Sequence, residues 1–109
     1  MNKFEVIWTK NAQLDLESII EYIKIDSVTI AKKIFFEIKK ECENLHYFPE
    51  RKRVVPELQQ IGISKYREII YEKYRIIFKI DNLKIYVLLV VDSRRNLEDI
   101  LFQRLIDKK

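Results

Sequence analysis

The spacing of apolar residues changes character twice along the chain. From Ala12 to Leu45 they recur every three or four positions. From Tyr66 to Val91 they fall into three short runs, and from Leu97 the helical spacing returns. The first helical stretch carries Ala12, Leu16, Ile19, Ile20 and Ile23 on one stripe, with Asp15, Glu17, Glu21 and Lys24 off it. This pattern predicts an amphipathic helix capped by Thr9 or Asn11. Asp26 and Ser27 interrupt the stripe and offer a second N-cap. A second stripe follows at Ala31, Ile34, Phe35, Ile38, Cys42 and Leu45. The break between the stripes is short, so the two helices should form an antiparallel hairpin. Ahead of them, Phe4, Val6 and Trp8 alternate with Glu5 and Ile7 in a short strand.

The three later runs, Tyr66–Tyr71, Tyr74–Ile80 and Ile85–Val91, have strand length and are rich in Ile, Val, Tyr and Phe. The gaps between them are too short for a crossover, which makes them an antiparallel meander. In the second run Tyr74, Ile76, Phe78 and Ile80 share a face, opposite Arg75, Ile77 and Lys79. In the third, alternation sets Ile85, Val87, Leu89 and Val91 on one face and Tyr86, Leu88 and Val90 on the other. Both faces are apolar, as in an interior strand covered on both sides. The turn at Glu72–Lys73 lacks the Asn-Gly chemistry that favours tight hairpins, whereas the turn around Asp81–Asn82 has better turn residues. Asn96 can cap a terminal helix with Leu97, Ile100, Leu101 and Leu105 apolar, and Glu98 and Asp99 in its first turn. Residues 47–64, punctuated by Pro49, Pro56 and Gly62, form the longest irregular stretch. The expected fold is α+β: an N-terminal strand, a helical hairpin, a three-stranded antiparallel meander and a C-terminal helix, with the helices layered on one face of an antiparallel sheet.

At 109 residues the chain suits a single domain, residues 1–109. No apolar run approaches the ~18–20 residues needed to span a bilayer, and the segment MNKFEVIW is too short and polar for a signal peptide. Cys42 is the only cysteine, which excludes an internal disulfide and points to a reducing, cytosolic compartment. One Cys and one His make a metal site of the usual kind unexpected, and no cofactor motif is present. Cys42 lies on an inward stripe and reads as a small buried residue. His46, at the end of the second helix, reads as a cation near its last carbonyls.

The net charge of +4 is unevenly placed. Residues 1–45 carry 7 Lys or Arg against 8 Asp or Glu, and residues 46–109 carry 14 against 9. The positive charge belongs to the sheet half, where it favours an anionic partner. Arg67 and Arg75 lie within the meander, Arg94 and Arg95 just after it, Arg53 in the basic cluster Arg51-Lys52-Arg53, and Arg104 in the terminal helix. The structural alternatives are specific. Arg67 and Arg75 can pair across strands with Glu68 or Glu72, and Arg94 and Arg95 with Asp92 or Glu98.

The order of these elements, with several local motifs, resembles the RelE/ParE superfamily of bacterial toxins. The matching segments are Phe4–Trp8 followed by Ala12, Asp15 and Leu16; Phe48–Pro49; Val55-Pro56-Glu57-Leu58; Tyr66-Arg67-Glu68; Tyr74-Arg75-Ile76; and Asp92-Ser93-Arg94-Arg95-Asn96-Leu97. The resemblance implies the toxin of a two-gene module, of the kind also described as plasmid stabilisation proteins. It also implies a cognate antitoxin that wraps the toxin into a hetero-oligomer. Two targets occur in the superfamily: RelE-like members cut mRNA in the ribosome, and ParE-like members poison DNA gyrase.

For the nuclease reading, the resemblance maps Glu57 to a general base, and Arg75, Arg94 and Arg67 to phosphate-binding positions. Arg53, Arg67, Arg75, Arg94, Arg95 and Arg104 are the candidates for target or antitoxin contact. RNA cleavage also needs a proton donor. Here Asp92 stands where some relatives carry a catalytic histidine, and Ile100 where others carry a tyrosine. Phosphate-binding groups survive and the acid/base pair does not, which favours the gyrase-directed branch. The alternatives are the RelE-like nuclease and a non-toxic binding module that retains the fold.

Overall fold

The computed structural model describes residues 3–107, with the side chains of Leu105, Ile106 and Asp107 left out. Leu105 of the terminal stripe, and the terminal lysines 108 and 109, therefore lie outside the described residues. In chain order the elements are β1 (Glu5–Trp8), α1 (Lys10–Lys24), α2 (Val28–Glu43), β2 (Arg53–Val54), α3 (Pro56–Gln59), β3 (Tyr66–Tyr71), β4 (Tyr74–Asp81), β5 (Lys84–Asp92) and α4 (Leu97–Asp107).

The helix starts follow capping chemistry. Thr9, rather than Asn11, caps α1, its hydroxyl accepting the Ala12 N–H at 3.2 Å and donating to the Val87 carbonyl at 2.9 Å. Ser27 caps α2 by accepting from Ile30 at 3.1 Å, and Asn96 accepts from Asp99 at 3.0 Å at the head of α4. The turns between meander strands place Glu72 at φ 51° and Asn82 at φ 57°, left-handed backbone that Asn tolerates better than Glu.

The strands form one sheet in the order β1-β5-β4-β3-β2. The meander pairs are antiparallel, as expected, but β1 runs parallel to β5, with Val6 beside Ile85 and Trp8 beside Val87. Between β1 and its parallel neighbour β5 lie the α1–α2 hairpin and the first strands of the meander, which supply the long connection that a parallel pair requires. The sheet is therefore mixed rather than purely antiparallel. The stretch 47–64 is also more ordered than its composition suggests. After a 3-10 turn at Asn44–His46 comes another at Pro49–Arg51, then β2 and the short α3.

Each sheet face has its own apolar core. On one, Ala12 and Leu16 of α1, with Ile34, Ile38 and Cys42 of α2, pack on Ile69, Ile76, Phe78, Ile85 and Val87. Phe78 is fully buried there, and truncating it to Ala would cost ~3–5 kcal/mol. On the other, Leu97, Ile100 and Leu101 of α4 and Leu58 of α3 meet Ile77, Leu89 and Val91. Helices thus cover both faces, correcting the expectation of one helical layer. A bulge in β5 decides which of its residues join the second core. Ile77 pairs with Leu89 but the next residue, Phe78, pairs with Val87, leaving Leu88 without a partner. Beyond it the alternation of β5 inverts. Val90 joins Ile85 and Val87 under the hairpin, while Leu89 and Val91 turn to α4. The simple period-two reading of this strand is wrong past Val87 for that reason.

Two side chains satisfy the bulged stretch where β1 no longer flanks it. The Asp15 carboxylate accepts the Val90 N–H at 3.0 Å, and Arg104 donates to the Leu88 carbonyl at 3.1 Å. Asp15 and Arg104 also pair with each other, which fastens α1, β5 and α4 together. Left open, these backbone groups would form an exposed strand edge.

Candidate functional site: an arginine–carboxylate network at one end of the sheet

Arg75 leaves β4 on the face that carries the second core, near the end where β5 runs into α4. It is only 7% exposed. Its Nη1 and Nη2 donate to the two oxygens of Glu57 at 2.6 and 2.7 Å, and its Nε donates to Glu68 at 2.7 Å. Pro56 opens α3 and sets Glu57 in its first turn, so a two-oxygen carboxylate meets a planar fork. Glu68 is a diagonal neighbour of Arg75 across the β3–β4 ladder and has no exposed side-chain surface. Its other oxygen accepts from Arg53 at 2.6 Å, at the open end of the network.

These contacts fix protonation. The Arg75 guanidinium, more than any other group, holds the Glu57 carboxyl down at about 2, so it is an ionised and weak base near neutral pH. In the turn after β5, Arg94 donates through Nε and Nη2 to Asp92 at 3.0 and 2.8 Å, and the Arg94 backbone N–H donates to the same carboxylate. These bonds hold Asp92 at about 2 as well. Asp92 therefore keeps no proton to donate at neutral pH.

The structure brings Glu57, Arg75 and Arg53 together through Glu68, and sets Arg94 and Arg95 in the loop after β5 at the same end of the sheet. Arg94 is highly exposed and Arg95 is exposed. Arg67 alternates to the other face of β3 and donates to the Lys52 carbonyl at 2.6 Å. Arg104 lies apart, in the clasp with Asp15. Of the pairings read from sequence, Arg75 with Glu68 and Arg94 with Asp92 are formed. Glu68 itself, an acid inside an apolar strand beside an arginine, was the signal for a buried pair, yet sequence reading named it only as a partner. Asp15 as the bulge's cap was not foreseen, because nothing in the sequence marks the bulge.

The remaining two candidates serve structure. Burial, above all, pushes the Cys42 thiol up to about 12, which leaves it inert. His46 faces acceptors from both ring nitrogens, the Phe4 carbonyl and Glu43, each at 2.6 Å. The Phe4 carbonyl, then Glu43, raise its pKa, so it ties α2 to the start of β1 rather than capping helix carbonyls. Among the described residues no group of three or more His, Cys, Asp or Glu side chains could hold a metal ion, and no helix is long and apolar enough to cross a membrane.

The mixed five-stranded sheet, with a helical hairpin on one face and a terminal helix on the other, is the fold of RelE/ParE superfamily toxins, and the family match places the chain among them. The model of the family described as ParE toxin of type II toxin-antitoxin systems, parDE, matches residues 6–97, and the chain belongs to that family. Among solved structures, the fold is shared with a chain of the chromosomal ParDE toxin-antitoxin system from P. aeruginosa. That match has a TM-score of 0.68 and 18% identity, and covers 83% of this chain and 96% of that one. It is also similar to a chain of the RelBE2 toxin-antitoxin complex from Mycobacterium tuberculosis, with a TM-score of 0.55 and 20% identity over 84% and 93% of the two chains. No curated protein matches the chain by sequence.

Proposed function

We propose that this toxin acts in the bacterial cytoplasm by inhibiting DNA gyrase, does not cut mRNA, and is neutralised by a cognate antitoxin in a hetero-oligomeric complex. The observation that carries the choice of target is the state of the two carboxylates at the sheet end. Glu57 and Asp92 are each gripped by an arginine and each held at about 2. A ribonuclease working by general acid–base catalysis needs one group that takes a proton and one that gives it near neutral pH. Here neither carboxylate does so. Arg75 in turn spends Nε and both terminal nitrogens on Glu57 and Glu68, so its charge is compensated inside the protein and not offered to a phosphate. Among the six candidate arginines, Arg53, Arg94 and Arg95 are exposed, Arg53 and Arg94 while bonded to Glu68 and Asp92, and as surface groups they suit a contact with an acidic partner. Family membership and the toxin-antitoxin complexes of similar fold support the antitoxin reading.

Induced expression in a bacterium tests the choice. Inhibition of gyrase should arrest replication and induce the SOS response while cellular mRNA stays intact. Rapid codon-specific mRNA cleavage without SOS induction would return the weight to the ribosome.

A further inference from the structure

β5 ends in an acid, and the chain then turns through residues 93–96 into α4. Asp92, the last residue of the strand, organises that turn. One of its oxygens accepts the Arg94 backbone N–H at 2.9 Å, the two-residue reach by which an aspartate sets a turn. The backbone ties the turn down as well. The Ser93 N–H donates to the Lys73 carbonyl at 2.7 Å, and the Arg95 N–H donates to the Asp92 carbonyl at 3.0 Å. The carboxylate thus has a fixed seat, and its side chain is only 18% exposed.

From that seat Asp92 meets the Arg94 guanidinium along one edge, accepting from Nε at 3.0 Å and from Nη2 at 2.8 Å. A guanidinium carries five N–H donors in a rigid plane. Asp92 takes one from Nε and one from Nη2. The outer edge, formed by Nη1 and the second Nη2 hydrogen, has no acceptor among the described residues, and the Arg94 side chain is 77% exposed. Such an edge is the fork that a carboxylate meets with both oxygens. A mobile surface arginine loses rotamer freedom when a partner binds it, whereas Arg94 is already held. The ionised state that disqualifies Asp92 as a general acid is the state that this grip needs.

We propose that Asp92 is a positioning residue for the target contact, holding Arg94 so that its outer guanidinium edge faces a carboxylate of the partner. This role rests on the reading of gyrase as the target. Asp92 acts through Arg94, and its charge and its grip pull in opposite directions. As a charge, it compensates Arg94 and weakens the attraction for an acid. As a grip, it presents the fork ready-made. Exposed charges are screened in water, the outer edge lies across the guanidinium from Asp92, and a two-oxygen contact depends on orientation. Positioning is therefore the larger effect.

The test is a double-mutant cycle of Asp92→Asn and Arg94→Ala, read as the toxin concentration that half-inhibits supercoiling by purified gyrase. Asparagine can keep the bond to the Arg94 backbone N–H but not the ionic grip. Asp92→Asn should inhibit roughly three- to tenfold more weakly, the range for ordering one long side chain, even though it removes a negative charge. In the Arg94→Ala background the same change should have no further effect, because a residue acting through Arg94 couples fully to it. NMR relaxation of the Arg94 Nε–H in the free toxin should show a rigid side chain in wild type and a mobile one in Asp92→Asn. Three results would each overturn the role: Asp92→Asn inhibiting as well as wild type or better, an effect that merely adds to that of Arg94→Ala, or an Arg94 Nε–H equally mobile in both proteins. If wild type does not inhibit gyrase, the target reading fails, and the same cycle scored on growth arrest decides the positioning role. A wild type that arrests nothing overturns it too.

Discussion

Glu57 and Arg75 meet fork to fork, two carboxylate oxygens against two guanidinium nitrogens at 2.6 and 2.7 Å. The pair joins α3 to the middle of the sheet, and Glu68 on the adjacent strand completes it from below. An arginine so enclosed holds its neighbourhood together, which sets the expected effect of removing it.

Arg75→Ala leaves Glu68 buried with Arg53 as its remaining cation. Breaking a buried ionic group from one side costs ~3–5 kcal/mol. Urea unfolding followed by circular dichroism should show a loss of that size. Arg75→Lys should recover only part of it, because one ammonium cannot serve both oxygens of Glu57 and the Glu68 carboxylate in the same geometry. An Arg75→Ala protein as stable as wild type would contradict the structural role.

The same pair gives a pH dependence with a definite sign. Arg75 lowers the Glu57 carboxyl to about 2 from its ordinary 4.5. A carboxyl depressed in the folded state contributes stability that is complete above its unfolded pKa and lost as pH falls through the folded value. Glu57→Gln should therefore be clearly less stable than wild type near neutral pH, and the gap should close between about pH 4.5 and pH 2. Urea midpoints measured down that range check it. A gap of constant size would mean that the ionic pairing adds nothing.

The clasp at the bulge predicts a local effect. Asp15→Ala removes the acceptor of the Val90 N–H and the partner of Arg104. An unsatisfied buried group of this kind costs ~1–3 kcal/mol. Hydrogen exchange should show the Val90 amide and the α4 backbone opening faster, while the ladder between β3 and β4 keeps its protection. Unchanged exchange at Val90 would show that the bulge is held by other means.

Much of this architecture was legible in the pattern of side chains. The stripes of Leu16 and Ile38, the strand runs around Ile76 and Val87, and the caps Thr9, Ser27 and Asn96 all sit where periodicity and capping chemistry put them. What escaped were non-local choices. Alternation along β5 could not reveal the bulge at Leu88, because both faces of the strand are apolar and either register buries the same residue types. The parallel placement of β1 depends on the crossover's path, which no local signal encodes. At the site, the arginines stood out as charges within apolar runs. That Glu57 and Glu68 converge on Arg75 depends on how the stretch from Phe48, at φ 55°, through α3 folds back over β4.

The Glu57 and Asp92 assignments make the nuclease reading directly testable. With both carboxylates held ionised, purified toxin added to translating ribosomes should leave mRNA intact at the A-site codon. Cleavage there, abolished by an Arg75 substitution that keeps the fold, would contradict it.

The measurement that bears most directly on the proposed target is DNA supercoiling by purified gyrase in the presence of the purified toxin. Wild-type toxin in excess should suppress supercoiling and trap a cleaved-DNA complex. Arg94→Ala and Arg95→Ala, both at exposed positions, should weaken that inhibition without unfolding the protein. Full supercoiling at excess wild-type toxin, with no cleaved DNA trapped, would contradict the assignment of gyrase as the target.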